Sequence, residues 1–190
     1  MKKLISLSIL LMSIVFARAQ DKIIDTIPKI DGVYGYQEVV QLDSSYKKDF
    51  LYKNAKIYFV NNFKSANAVI QYDNKEDAKI IGKGNITVND ANLVMAVKWV
   101  ISFTTEIACK DGKYRYRIYD FSIVETRYGG SNHTYVTDLT IDQAKELSQK
   151  GTAKKVSARL FNKMADEIKS DILLIKRDMA KKDAISKNDF

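Results

Sequence analysis

The only histidine of the 190-residue sequence is the first candidate for chemistry, because histidine is the usual acid–base group near neutral pH. His133 lies two residues after Ser131 in a run that begins with two glycines, so a hydrolase built on Ser131 or another hydroxyl, with His133 and a carboxylate, is one alternative. Such an enzyme holds its nucleophile on a sharp turn beside the base, and residues 128–133 show no motif of that kind. We therefore expect His133 to be a solvated loop residue and predict no catalytic residues.

The single cysteine, Cys109, ends the apolar face of a predicted strand. A reactive thiol needs an exposed, electropositive setting, whereas a buried thiol is inert. We therefore expect Cys109 to be a small core residue. With no second cysteine, the chain forms no intramolecular disulfide.

Three acidic residues within five positions suggest calcium, which prefers clustered oxygen ligands. They are Asp73, Glu76 and Asp77. Their spacing differs from that of an EF-hand loop, and Lys75 and Lys79 add repulsive charge nearby. We predict an ordinary hairpin turn here, with neither a metal site nor a cofactor.

The most suggestive pattern is a set of long cations that share one side of the predicted sheet. Counted by strand alternation, the set is Lys79, Lys83, Lys98, Arg115 and Arg117, with Glu106 as the main acidic neighbour. Two interpretations remain open, a solvated sheet face and a concave surface for an anionic ligand. For the second, the candidate binding residues are Lys83, Lys98, Arg115 and Arg117.

Nucleic-acid binding is a further alternative, but it requires aromatic side chains on the basic side for base stacking. The alternation places Trp99, Tyr114 and Tyr116 on the opposite, apolar side. We therefore expect no nucleic acid as a partner.

One long hairpin positions these residues. Apolar side chains alternate from Met95 to Cys109, Asp111 and Gly112 form the expected turn, and residues 114–123 return. A two-residue turn pairs Cys109 with Tyr114, Ile107 with Tyr116 and Glu106 with Arg117. This register would set Phe103 against Asp120, so a bulge is expected near residues 118–120.

The remaining elements complete an α+β pattern. Three more strands are predicted at residues 34–42, 67–73 and 78–88, and helices at 46–63, 141–149 and 153–181, the first capped by residues 43–45. A capping box opens the short second helix. The main order is β-α-β-β-β-β-α, a curved antiparallel five-stranded sheet with strand order 1-5-4-3-2 and helices on one face. Trp99 should lie in the core, and Gly82 and Gly84 should mark a close approach by a helix.

The N-terminus predicts export. Residues 1–19 combine Lys2 and Lys3, an apolar run and Ala17-Arg18-Ala19, which is typical of a signal peptide. Its apolar run is too short to span a membrane, so no membrane anchor is expected after cleavage. An extended lead-in (20–32), a single domain (33–182) and a polar tail (183–190) follow.

Four short stretches together resemble a known family. They are residues 36–40 (YQEVV), 51–59 (LYKNAKIYF), 81–84 (IGKG) and 111–115 (DGKYR), which follow a signal peptide. The chain resembles the secreted domain-of-unknown-function family 4468, common in Bacteroidota, over roughly residues 33–125. The resemblance implies a TATA-binding-protein-like fold and an exported location. It implies no activity, and it transfers no functional residue.

These patterns predict a non-catalytic binding module in the periplasm or outside a Gram-negative cell. We expect its partner to be an envelope or extracellular component of unknown identity, and an anionic one if the second interpretation of the cations holds. Export would also separate the protein from the genome, which weighs against DNA as its ligand.

Overall fold

The computed structural model describes residues 27–63, 69–91, 96–128, 134–151 and 154–182. The predicted signal peptide (1–19) and polar tail (183–190) lie outside the described residues, as does the lead-in up to residue 26. The single domain predicted at residues 33–182 contains almost everything described below.

The two longest strands form the predicted hairpin. β5 (Ala96–Lys110) and β6 (Lys113–Tyr128) flank the turn at Asp111 and Gly112, with the three expected pairings all present. The bulge is confirmed as well: Thr104 pairs with Tyr119 and Ser102 with Ser122, which leaves two residues of β6 opposite Phe103. The bulged residue Asp120 has a positive φ of 59°.

Five strands follow the predicted order. β2 (Val33–Gln41), β6, β5, β4 (Lys79–Ala91) and β3 (Ile70–Asn74) lie side by side and antiparallel. The sheet has seven described strands instead of five, so the predicted strand number was wrong. β1 (Lys29–Ile30) pairs with β2 through a turn at Asp31 and Gly32, and β7 (Thr134–Leu139) pairs with β6.

β6 is long enough to pair with two strands along the same edge. Residues 113–119 pair with β2 and residues 123–128 pair with β7, one group on each side of the bulge. The alternation of apolar and polar residues ends near Tyr128, so the sequence did not predict β7.

Three described helices cover one side of the sheet: α1 (Lys48–Asn62), α2 (Ile141–Gln149) and α3 (Lys154–Met179). The predicted capping box opens α2, since the Thr140 side chain accepts from Gln143 N and the Gln143 side chain accepts from Thr140 N. α3 packs the predicted stripe at spacings of three and four against the core: Val156, Leu160, Met164, Ile168, Ile175 and Met179 are buried, and Ile172 is partly buried. No helix in the described part of the chain is long and apolar enough to cross a membrane.

The start of α1 differs from the prediction. Asp43 accepts hydrogen bonds from Ser45 instead of capping the helix. The first helical amide, Lys48 N, donates to Asp111 Oδ1 at 2.7 Å, so the turn of the β5–β6 hairpin caps α1. A side chain 63 positions away supplies this cap, which local sequence signals do not reveal.

The core lies between the sheet and the helices. Trp99 is fully buried there, as predicted, and its indole N–H donates to Glu125 Oε2 at 2.8 Å. The predicted close approach at the glycines is confirmed, since a Cβ on Gly82 would lie 2.5 Å from Phe59 and one on Gly84 2.6 Å from Phe63. Both phenylalanine rings come from the α1 side of the sheet.

Candidate anionic-ligand surface

The side of the sheet opposite the helices, called the open face below, is not covered by any described helix. Alternation along the paired strands places side chains of three strands on the open face. They are Lys79, Ile81 and Lys83 of β4, Lys98, Val100, Thr104 and Glu106 of β5, and Arg115, Arg117 and Tyr119 of β6. The helix side of the same strands is almost continuously buried. The five predicted cations therefore share one surface, as the alternation indicated.

Glu106 lies at the centre of the cations and is buried, with 4% of its surface exposed. Its carboxylate contacts Arg115 at 2.7 Å and Lys79 at 3.3 Å. Both cations stand opposite Ala108, one on each neighbouring strand, and the small alanine leaves room for Glu106 to reach between them. Glu106 thus joins three strands and neutralises part of the positive charge.

The ion pair of Glu106 differs from the prediction, although the strand register is the expected one. Arg117 stands directly opposite Glu106, yet the carboxylate pairs diagonally with Arg115. Diagonal neighbours are within reach of long side chains in a twisted sheet. Replacing Glu106 would consequently release Arg115 and Lys79 and not Arg117.

Arg117 and Lys83 remain available. The Arg117 guanidinium lies 4.9 Å from the centre of the Tyr119 ring, a cation–π contact. Among the described residues, neither Arg117 nor Lys83 has a carboxylate within ion-pair distance. The Nε of Arg117 is buried and donates to no described acceptor. The basic cluster, defined as Lys79, Lys83, Arg115 and Arg117, therefore carries unneutralised charge.

Besides Glu106, two described carboxylates lie near these four cations. Asp120 Oδ2 accepts from Thr104 Oγ1 at 3.2 Å, and Thr104 itself belongs to the open face. Asp77 accepts from the hydroxyl of Tyr72. Four cations against three carboxylates leave a net positive cluster.

Lys98 lies apart from the other predicted binding residues. Lys83 pairs with Thr104, and Lys98 stands six residues farther along β5, which corresponds to about 20 Å. Sequence alternation identified the shared side, but it did not reveal this separation.

The aromatic residues divide between the two sides. Trp99, Tyr114 and Tyr116 are buried on the helix side, as predicted. Tyr72 and Tyr119 belong to the open face, which the sequence reasoning missed: a bulge between Ile70 and Tyr72 shifts the phase of β3, so Tyr72 is exposed instead of inward. Its hydroxyl donates to Asp77 at 2.7 Å.

The suggested calcium ligands separate in the structure. Asp73 faces α1, where it pairs with Lys56 at 2.7 Å and accepts from Tyr52, while Asp77 accepts from Tyr72. Burial would raise the pKa of Asp73, but the hydrogen bonds from Lys56 and Tyr52 outweigh it and lower that pKa. The described residues contain no cluster of three or more histidine, cysteine or acidic side chains suited to a metal ion.

Cys109 is a buried core residue, as predicted, and burial raises the pKa of its thiol to about 12. A thiol in that state is protonated at neutral pH and unreactive. Ser131 and His133, the basis of the hydrolase alternative, lie outside the described residues.

Comparison with known proteins agrees with this architecture. The sequence model of one family, described as "Domain of unknown function (DUF4468) with TBP-like fold", matches residues 36–124. No curated protein matches the chain.

Two crystal structures share the fold. A DUF4468 family protein from Bacteroides ovatus aligns with a TM-score of 0.52 at 12% identity, over 85% of this chain and 94% of its own. A TBP-like protein from Parabacteroides distasonis aligns with a TM-score of 0.55 at 13% identity, over 80% of this chain and 98% of its own. At such identities the likeness concerns the fold alone.

Proposed function

We propose that the chain, whose residues 36–124 match the DUF4468 family of domains of unknown function with a TBP-like fold, is a non-catalytic binding module whose open face receives an anionic partner. Lys83, Lys98, Arg115 and Arg117 are the proposed binding residues. The observation that carries the proposal is the uncompensated charge of Arg117 and Lys83 beside Glu106, which is already paired.

The chemistry and the contacts of Arg117 support a binding role for this charge. An arginine fork is the preferred partner of planar anionic groups because it donates two parallel hydrogen bonds. The Arg117 guanidinium lies against the Tyr119 ring, and any restriction of its motion by this contact would lower the conformational entropy lost on binding.

The proposed location is outside the cytoplasm, in the periplasm or the surrounding medium of a Gram-negative bacterium. It rests on the signal-peptide pattern of residues 1–19. The source organisms of the two structural relatives, both Bacteroidota, agree with it. The partner would then be an envelope or extracellular component, which argues against genomic DNA.

The test uses inorganic polyphosphate as an anionic probe and compares two variants with equal loss of charge. In the first, Lys83, Lys98, Arg115 and Arg117 become glutamine. In the control, four exposed lysines beside or within the helices become glutamine: Lys47, Lys53, Lys154 and Lys155. Contacts worth about 0.5–1 kcal/mol each predict a loss of affinity of about tenfold or more for the first variant.

The control variant should bind like the wild type, and all binding should weaken as salt rises to physiological strength, where screening acts over about 8 Å. Because Arg115 pairs with the buried Glu106, a triple variant that keeps Arg115 guards against unfolding. Equal affinity of the wild type and the triple variant for polyphosphate would contradict the proposal.

A further inference from the structure

The strand β7 lies at an edge of the sheet. Within the described residues it pairs only with β6, through residues 123–128. Residues 134–138 of β7 are all exposed, and only Leu139 is buried. Tyr135 and Val136 are 61% and 64% exposed, on opposite sides of the strand. The backbone amide and carbonyl groups along the outer side of such an edge can bind a further strand.

The opposite edge of the sheet, β3, carries features that hinder strand addition, and β7 does not. A bulge interrupts the pairing of β3 with β4, and Asp73 of β3 pairs with Lys56 of α1 at 2.7 Å. Bulges and charged side chains commonly protect edge strands from pairing. β7 keeps a continuous register with β6, residues 134–137 are Thr-Tyr-Val-Thr, and Asp138 is its only charged residue. β7 is therefore the edge better suited to accept another strand.

The sequence of β7 is compatible with antiparallel pairing to its own copy. A two-fold axis at Val136 would create three kinds of residue pair between the copies: Val136 with Val136, Tyr135 with Thr137, and Thr134 with Asp138. Two apolar side chains then meet at the axis. Each Thr134 hydroxyl can donate to an Asp138 carboxylate, and no like charges stand opposite each other.

A groove beside β7 fits an aromatic ring that the second copy would bring. It has a volume of about 420 Å³ and lies on the helix side between Leu139 and α2, with Leu147 and Gly151 in its lining. Tyr135 of the second copy would stand opposite Thr137, diagonal to Leu139 and about 7 Å from it, which an aromatic side chain can span. Ring and groove thus belong to one self-complementary patch, as a two-fold dimer requires.

We propose that β7 is a self-association site, at which two copies of this protein join their sheets edge to edge through antiparallel β7 strands. Residues 134–138 of both copies form the contact, which is small for a protein interface, so the dimer is weak and reversible. Opposite residues of an antiparallel pair share a side, so both open faces lie on the same side of the joined sheet. The inference uses the edge of the sheet and does not depend on the proposed function.

Sedimentation velocity of the purified protein from about 1 μM to about 1 mM tests the inference, because this range covers the dissociation constants of weak interfaces. We expect the sedimentation coefficient to rise with concentration from the value of a monomer towards that of a dimer. Val136→Lys should raise the dissociation constant about tenfold or more, because two lysines would meet at the axis. The variant should fold, since Val136 is 64% exposed. Leu173→Lys is the matched control: Leu173 is 66% exposed on α3, and its replacement should leave the dissociation constant unchanged.

A mixing experiment tests the two-fold axis itself. Val136→Lys and Val136→Glu should each be monomeric alone, and their equimolar mixture should regain the dimer because opposite charges then meet at the axis. An edge that binds a strand of another protein would show no such rescue. The inference is wrong if the wild type stays monomeric at every concentration, if Val136→Lys and Leu173→Lys have equal dissociation constants, or if the mixture stays monomeric.

Discussion

Two neighbouring arginines of β6 have different roles, although they differ by only two positions. Arg115 pairs with the buried carboxylate of Glu106 at 2.7 Å, whereas Arg117 rests on the Tyr119 ring. A buried charge that loses a partner is costly. Arg115 therefore contributes to stability, and Arg117 is available to a partner.

The first prediction separates these roles by single substitutions. Arg115→Ala should lower the free energy of unfolding by about 1–2 kcal/mol, because it leaves Glu106 with Lys79 alone. Arg117→Ala should lower it by about 1 kcal/mol or less, the value of a cation–π contact at a partly exposed site. Urea denaturation measures both quantities.

Polyphosphate titrations should rank the two variants the other way round: Arg117→Ala should lose more affinity than Arg115→Ala. A second check removes the shared partner: Glu106→Gln should release Arg115 and Lys79 and so modestly strengthen binding. Equal stability losses for the two arginine variants would contradict this division of roles.

At the level of elements, the contact between α1 and α3 holds a part-buried aspartate, Asp171, and a buried one, Asp178, with opposite pKa shifts. Asp171 accepts from the Tyr58 hydroxyl at 2.7 Å, and burial raises the pKa of this carboxyl. Burial would also raise the pKa of Asp178, but hydrogen bonds from Arg177, Lys181 and Asn62 outweigh it and hold that pKa at about 2. One carboxylate thus destabilises the contact when ionised, and the other stabilises it.

The second prediction uses Asp171→Asn and Asp178→Asn as a matched pair. Because the pKa of Asp178 is depressed in the folded state, its stabilisation is present above about pH 4 and is lost as the pH falls towards 2. Asp178→Asn should therefore cost about 1–2 kcal/mol at pH 7, and this cost should shrink below pH 4.

Ionisation of Asp171 has the opposite effect on stability. Its raised pKa means that the wild type loses stability as the pH rises from about 4, so Asp171→Asn should be at least as stable as the wild type at pH 7. The measurement is the free energy of unfolding from urea titrations between pH 2 and 8. A destabilising effect of Asp171→Asn at pH 7 would contradict the assignment.

Strand alternation predicted most elements because each face of this sheet has a constant character over many residues. It failed where the phase shifts or where the cause is remote. The bulge after Ile70 reverses Tyr72, and the cap of α1 comes from Asp111 in a distant turn. The hairpin signal at Asp31 and Gly32 was present in the sequence, but the strand before this turn has only two residues.

One apparent exception in the pattern has a physical explanation. Glu38 interrupts the apolar side of β2, which the sequence alone does not explain. In the structure its carboxylate accepts from the Tyr116 hydroxyl at 2.8 Å and pairs with Lys176 of α3 at 2.6 Å. An exposed acidic residue on the helix side of β2 thus joins the sheet to a helix.

At the scale of the whole molecule, the strand order was predictable and the candidate site was predictable in part. The order follows from short turns and one helical crossover. Two solved structures at 12–13% identity share the fold. The sequence placed the cations on one side of the sheet. It did not show that Glu106 engages Arg115, nor that Lys98 lies about 20 Å from Lys83, because both depend on sheet twist and strand pairing.

The cap that Asp111 supplies to α1 has a consequence for the order of events during folding. Leu42 N donates to Gly112 O and Gly112 N donates to Tyr46 O, so the hairpin turn also fastens the segment that leads into the helix. A helix of 15 residues is marginal alone in water. We therefore expect the β5–β6 hairpin, whose contacts are local, to form early and α1 to become stable only after it. Quenched-flow hydrogen exchange that found α1 amides protected before those of β5 and β6 would contradict this order.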